Sequence, residues 1–474
     1  MKDGHAVETA EYAKAASIQD ELAFAWWAPQ VLKKKRSIIT KIKSAYWQVT
    51  HKYGLKIPKT VQEALALDKE NNNTLWWDAI VKEMDNVKIA FEEWKGKEED
   101  IPKGYQKIKC HLIFDIKLSE NFWCKARFVA GGHITNTPAS ITYSSVVSRD
   151  SVRIALTIGA LNDLKVISCD IQNIYLTAPC REKIYTVTGP EFGSDEGSLM
   201  LIKRALYGLK SSGAAFHSYL AEVLYDLGYT PSSGDADVWL QPAIKPGGHK
   251  YYEYLLTYVD DIILVSHDPD TTMLGLQSVV KLKNDKFSEP DSFLGSQLVL
   301  KEITGQPCWC MTSNRYIAEA IKTLEELLQK KGAGSIPSKA PTPLPMKYHP
   351  ELETSAELNT ANTKLYQEII GILRWSVELG RIDIALEVSM MSSHMAAPRI
   401  GHLQQLLHMI AYLKKVPKLT LAFDPRHPEI DEQRFDIHDW HDFYRDTKEE
   451  ITHDLPPPRR HEVSMHCFVD ASML

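Results

Sequence analysis

Along the chain the apolar positions change period several times, and each change marks an element. Val152, Ala155, Leu156 and Gly159 recur at helical spacing behind Ser148, whose hydroxyl can cap a first turn, so a helix is predicted from there to about Asn162. A second opens at Ser212 or Gly213, turns Phe216, Leu220, Val223, Leu224 and Leu227 inward, and ends at Gly228. Late in the chain one helix carries Leu365, Ile369, Ile372 and Leu373. Another carries Leu403, Leu406, Leu407, Ile410 and Leu413, with Lys414 and Lys415 in its last turn and Pro417 as its stop. After the polar break Asn71-Asn72-Asn73, Trp77, Ile80, Val81 and Met84 share one helical face, and a further helix is expected over 270–284. Residues 105–132 read instead as strands closed by Gly131-Gly132, and a short strand is expected around Phe293-Leu294-Gly295. The alternation of strands and helices predicts a mixed α/β fold with a helical C-terminal region.

Two apolar runs, 254–259 and 262–265, read as buried strands with Asp260-Asp261 as the turn between them. Like charges side by side are costly there, and Asp-Asp forgoes the Gly or Asn that supplies positive φ in favoured two-residue hairpin turns. A divalent cation would reverse the sign of that energy, since Mg²⁺ takes carboxylate oxygens and is completed by substrate phosphates. A solvated acidic turn is the alternative. The strand-like run 166–171 is interrupted by Asp170, a third candidate acid, although a strand-end Asp that caps the next turn is the commoner case. Two acids on a hairpin and a third on a neighbouring strand can hold two divalent ions about 4 Å apart, the arrangement that drives in-line phosphoryl or nucleotidyl transfer.

Composition narrows the class. The 474 residues are 44% hydrophobic and 24% charged, as in an ordinary globular protein long enough for several domains, and no apolar run reaches membrane-spanning length. Seven scattered cysteines and the lack of an export signal at the start predict a reduced, intracellular protein, cytoplasmic or nuclear. Cys308-Trp309-Cys310 has no second metal-binding pair nearby and reads as a strand with buried thiols. A net charge of -6 coexists with a basic stretch, Lys103, Lys107, Lys109, Lys117, Lys125 and Arg127, which is either a solvated face or a nucleic-acid contact. Residues 1–59 read as a helical extension with Ile38, Ile42, Tyr46 and Val49 on one face, and 332–350, with two Gly and five Pro, as a linker.

The motifs appear in a fixed order: Trp77-Asp78-Ala79-Ile80, then 125–132, then Asp170-Ile171-Gln172-Asn173-Ile174-Tyr175-Leu176. Ala205-Leu206-Tyr207-Gly208-Leu209-Lys210, Asp235-Ala236-Asp237, Tyr258-Val259-Asp260-Asp261 and Phe293-Leu294-Gly295 follow, and then 369–375 and Arg381-Ile382-Asp383-Ile384-Ala385. This ordered set resembles the reverse transcriptase of copia-type LTR retrotransposons from about Lys59 onward.

The resemblance implies a right-hand polymerase with fingers, palm and thumb that uses two Mg²⁺ ions, with Mn²⁺ as a substitute, and deoxynucleoside triphosphates on a primed RNA or DNA template, without a membrane. By motif, Asp170, Asp260 and Asp261 would be the catalytic metal ligands. Lys125, Arg127, Tyr175 and Lys210 would meet the nucleotide, with the Tyr175 ring excluding a ribose 2′-hydroxyl, although an ordinary core aromatic is the other reading of that residue. Tyr258, Val259, Phe293, Leu294 and Gly295 would lie along the primer and template. The implied organisation is fingers and palm over 60–320, linker and thumb or connection over 321–423, and a connection tail over 424–474. That tail ends in a strand similar to the first of an RNase H domain, with Asp470 at its first acid; the other acids are absent, and no RNase H activity is expected. The chain departs from the family pattern at Ser211-Ser212-Gly213, where many relatives carry Gln-Ala-Pro, at Ala236 and at Ile382, both usually proline. A catalytically inactive remnant that keeps the fold and binds nucleic acid is the alternative function.

Overall fold

The sheet that carries the acidic hairpin joins one local pairing to one distant pairing. Lys250–Tyr258 folds back on Asp261–Ser266, and Asp261–Ser266 pairs antiparallel with Lys165–Asp170, from almost a hundred residues upstream. Val238–Ile244 and Thr230–Pro231 complete an antiparallel sheet of five strands. Burial runs unbroken from Tyr251 to Thr257, so both faces of that strand are covered, with Glu253 and Thr257 buried among its aromatic and aliphatic side chains.

The computed structural model describes residues 51–52, 55–117, 123–135, 142–331, 335–338, 340–426, 441–445 and 459. Two compact units emerge, residues 1–142 with 175–215, and residues 143–174 with 216–474. The expected boundary between 320 and 321 falls inside the helix Asn314–Lys331. Among the described residues no helix is long and apolar enough to cross a membrane.

In the second unit, the helix Arg149–Leu161 covers the sheet with Val152, Ala155, Leu156 and Gly159 buried, the face read from the sequence. Ser148 accepts the Ser151 N–H at 3.0 Å and caps it. A Cβ at Gly159 would lie 2.9 Å from Val265 Cγ1, so only glycine lets the helix approach the strand this closely. The helix expected over 270–284 spans Pro269–Val279 instead, because Val280 turns to an extended backbone and Leu282 is drawn into the core opposite Ile171. A second sheet orders Ser292–Phe293, Ser296–Ile303, Gln306–Thr312 and Leu421–Ala422, with Cys308 and Cys310 as buried free thiols. Asn314–Lys331, Thr360–Glu378, Ala385–Ser392 and Ile400–Lys415 pack around Ile317, Leu324, Leu365, Ile369, Leu406 and Ile410. The segment read as a linker is partly packed: Ala340 is buried and the Thr342 carbonyl meets His408 Nε2 at 3.1 Å.

The first unit has helices Val61–Glu70 and Leu75–Val87, a hairpin of Cys110–Lys117 with Trp123–Ala130, and a four-stranded sheet. The inward face of Leu75–Val87 is not the expected one. Trp76, Ile80 and Val87 are buried, while Trp77 is 48% exposed and Val81 is exposed too. The Asp68 carboxylate accepts the Trp76 and Trp77 N–H groups at 3.0 and 2.8 Å and fixes the helix start, and the Trp76 ring meets Phe114 edge-on. The helix expected in the N-terminal extension, most of the 424–460 tail, and Asp470 lie outside the described residues.

Candidate active site

Strand register decides what the three acids can do. Asp170 is the cross-strand partner of Asp261, and the Ile171 N–H donates to the Asp260 carbonyl at 2.8 Å. Directly opposed residues of an antiparallel pair project on the same face, so the carboxylates at 170 and 261 are neighbours despite their sequence separation. The turn itself differs from the expected Asp-Asp tip. Tyr258 pairs with Asp261, which leaves Val259 and Asp260 as the two turn residues, with Val259 at φ +56°. A β-branched residue in the left-handed region is strained, and strain of this kind persists only where the surrounding ladder over-determines it.

Burial, followed by the charges of Asp260 and Asp170, pushes the Asp261 carboxyl up to about 6, against the opposing pull of Lys283. The Lys283 ammonium forms an ion pair with Asp170. Among the described residues no three His, Cys, Asp or Glu side chains are gathered tightly enough to cage an ion. Mg²⁺ does not require such a cage, because it binds through one or two carboxylates and completes its shell with water and phosphate. An all-oxygen donor set in which two neighbouring charges oppose ionisation of Asp261 fits a hard divalent cation.

Of Phe293-Leu294-Gly295, Phe293 ends the short strand Ser292–Phe293, and Leu294 and Gly295 form the turn that follows it. Phe293 pairs with Ser296, and Leu294 and Gly295 between them both have positive φ, +50° and +83°, as a type I′ hairpin requires. Phe293 is buried in the core that includes Leu156, Val166 and Leu256, and Tyr258 is exposed. A Cβ on Gly295 would lie 3.5 Å from Leu379 and 3.6 Å from Trp375. Asp235 and Asp237 prove to be tethers: Asp235 accepts Ser148 N–H and Ser151 Oγ at 3.0 and 2.6 Å, and buried Asp237 accepts from Thr257 Oγ1 at 3.1 Å and lies 2.8 Å from His217 Nε2.

The first unit holds the expected nucleotide-binding side chains. Lys125 and Arg127 lie two residues apart on Trp123–Ala130 and so share a face. The Arg127 guanidinium sits 5.3 Å from the centre of the Tyr207 ring, and Tyr207 meets Tyr175 edge-to-face at 4.7 Å, so the three form a row. Lys210 is not in that row; its ammonium donates to the Thr135 carbonyl. Beside it, Ser211 donates from both N–H and Oγ to buried Glu182, at 3.0 and 2.8 Å, which is where the departure from Gln-Ala-Pro leads. Sequence reasoning missed two residues. Lys283 fell unremarked inside the helix expected over 270–284, and Tyr207 was noticed only as part of a motif.

Residues 97–332 match the family described as reverse transcriptase (RNA-dependent DNA polymerase). These residues are similar to a reverse transcriptase domain. All three acids, Lys283 and the Arg127–Tyr207–Tyr175 row fall inside the matched segment. The Retrovirus-related Pol polyprotein from transposon RE1 of Arabidopsis thaliana is 25% identical over 400 residues, which cover 80% of this chain and 25% of that protein. The corresponding polyprotein from transposon TNT 1-94 of Nicotiana tabacum is 25% identical over 394 residues, covering 78% and 27%. The chain thus spans about a quarter of the length of the curated relatives it matches. A solved foamy viral protease-reverse transcriptase, in complex with ds DNA, aligns with 71% of this chain and 48% of its own at 13% identity and a TM-score of 0.37, a loose likeness.

Proposed function

We propose that this chain is the RNA-directed DNA polymerase segment of a copia-type LTR retrotransposon, extending a primer with deoxynucleoside triphosphates on an RNA or DNA template. The register that sets Asp170 opposite Asp261, with Asp260 adjacent in the turn, carries this reading. Mg²⁺, or Mn²⁺ in its place, would be held by Asp170, Asp260 and Asp261 and would supply counter-charge to the primer hydroxyl and to the leaving pyrophosphate.

The remaining work belongs to the chain's own side chains. The paired strands hold the acids before substrate arrives, so little reorganisation is needed when charge develops. Arg127, oriented by the Tyr207 ring, would give charge-assisted hydrogen bonds to phosphate, as would Lys125. Tyr175, braced edge-on by Tyr207, would present a rigid ring that rejects a ribose 2′-hydroxyl by shape. Tyr258 and the Leu294-Gly295 turn would support the primer terminus.

Primer extension on an RNA template tests the proposal, with Asp260→Asn as the control. Wild-type extension and a loss of about a thousandfold or more in the variant are expected if the acid provides transition-state electrostatics. Equal extension by both proteins would discard the reading. Salt-dependent duplex binding without extension, in Mg²⁺ and in Mn²⁺, would replace it with the inactive remnant.

A further inference from the structure

We infer that Lys283 competes with divalent metal for the Asp170 carboxylate, so that an ion entering the site must displace its ammonium. The inference deepens the polymerase proposal and rests on its reading of the three acids as metal ligands. Among the described residues, the Lys283–Asp170 contact is the one ion pair that any of these acids makes.

The placement of Lys283 comes from the backbone and is not an accident of a long side chain. Fully buried Leu282 bridges to Ile171, and the Gln172 N–H donates to the Lys281 carbonyl at 2.8 Å. Farther along, Ser168 and Ser288 exchange both backbone hydrogen bonds, at 2.7 and 3.1 Å. Residues 281–288 therefore run beside the outer edge of Lys165–Asp170 and deliver position 283 next to the first acid. Asn284 and Asp285 follow at φ +59° and +49°, a left-handed step that their short polar side chains tolerate and that turns the chain away after the lysine has been presented.

Three carboxylates against one ammonium leave the cluster negative, so a divalent ion is still attracted. It meets a partner already in place, however. Lys283 is 52% exposed, and such a pair is screened and individually weak, which makes its displacement feasible. An ammonium is also a compact point charge on a flexible stem and can withdraw without disturbing the strands.

The test is Mn²⁺ binding to the full chain, without nucleic acid or nucleotide, followed by the loss of the free-ion electron paramagnetic resonance signal. Lys283→Gln is expected to bind Mn²⁺ about threefold to tenfold more tightly than wild type, because a like charge beside the ion has been removed. Lys283→Arg, which keeps the charge, is expected to stay near wild type. Without added metal the Gln variant should melt at a lower temperature than wild type, and saturating Mg²⁺ should close that gap. Unchanged or weaker Mn²⁺ binding by Lys283→Gln overturns the inference. Asp260→Asn, run alongside, separates this failure from that of the function. If Asp260→Asn loses Mn²⁺ affinity while Lys283→Gln is unchanged, only the role of Lys283 falls. If Asp260→Asn binds Mn²⁺ as tightly as wild type, the metal-site reading falls with it.

Discussion

Asp261 and Asp383 are both largely withdrawn from water, yet their proton affinities move in opposite directions. At Asp383 burial alone would raise the pKa, but the Arg381 hydrogen bonds and charge, with the Tyr412 hydroxyl, outweigh it and hold the carboxyl below the ordinary range. Arg381 is fully buried, grips Asp383 through Nε and Nη2 at 2.8 and 2.7 Å, and donates from Nη1 to the Val416 carbonyl at 2.9 Å. Removing one member leaves a buried charge without its partner, so Arg381→Ala should lose about 3–5 kcal/mol in urea unfolding. The Asp383 contribution is present above the unfolded carboxylate value and lost as pH falls through the lower folded value; wild type should therefore lose stability more steeply than Asp383→Asn below about pH 4. Asp261 has the reverse sign. Its folded pKa of about 6 stands above the ordinary 3.8, so folding opposes its ionisation and stability is lost as pH rises between those values. Asp261→Asn should consequently abolish primer extension yet stabilise the metal-free protein at pH 7 by about 1–3 kcal/mol in thermal or urea unfolding.

Elements built from local signals could be read directly. The helix Arg149–Leu161 has the cap and the buried face that Ser148 and the spacing of Val152, Ala155, Leu156 and Gly159 announce, and Gly228 ends Ser212–Asp226 at φ +90°. Where two faces of a helix were both apolar, periodicity could not choose between them. Leu75–Val87 carries adjacent tryptophans, and the choice of Trp76 was made by Asp68 and Phe114, which come from other elements. The two hairpin turns were also shifted, because apolar runs do not reveal which residues pair. Leu294-Gly295 gives a prediction at this scale. Gly295→Ala has ordinary van der Waals room against Leu379 and Trp375 but must hold φ +83°, so it should cost about 1–2 kcal/mol in urea unfolding without perturbing neighbouring side chains. A larger loss would mean that the turn is braced more tightly than its contacts suggest.

For the whole molecule, chain order and compactness disagree. The first unit takes Tyr175–Ala215 from beyond the first acid, and its core needs Leu176, Ile184, Ile202, Leu206 and Leu209 from that segment. A fragment ending at residue 142 should therefore show no cooperative unfolding transition by circular dichroism, since the apolar faces of Val61–Glu70, Leu75–Val87 and the hairpin would lack their partners. The sequence by itself determined what depends on near neighbours: helix faces and caps, the strands flanking the acids, the buried thiols of Gln306–Thr312, and an ordered set of motifs similar to those of reverse transcriptases. Tertiary structure alone decided that residue 170 stands opposite 261, that Lys283 reaches the first acid, and that Arg127, Tyr207 and Tyr175 form a row. Each of these contacts joins strands or loops distant in sequence, and register between such segments is set by the packing of the whole sheet and its covering helices, which no local periodicity records.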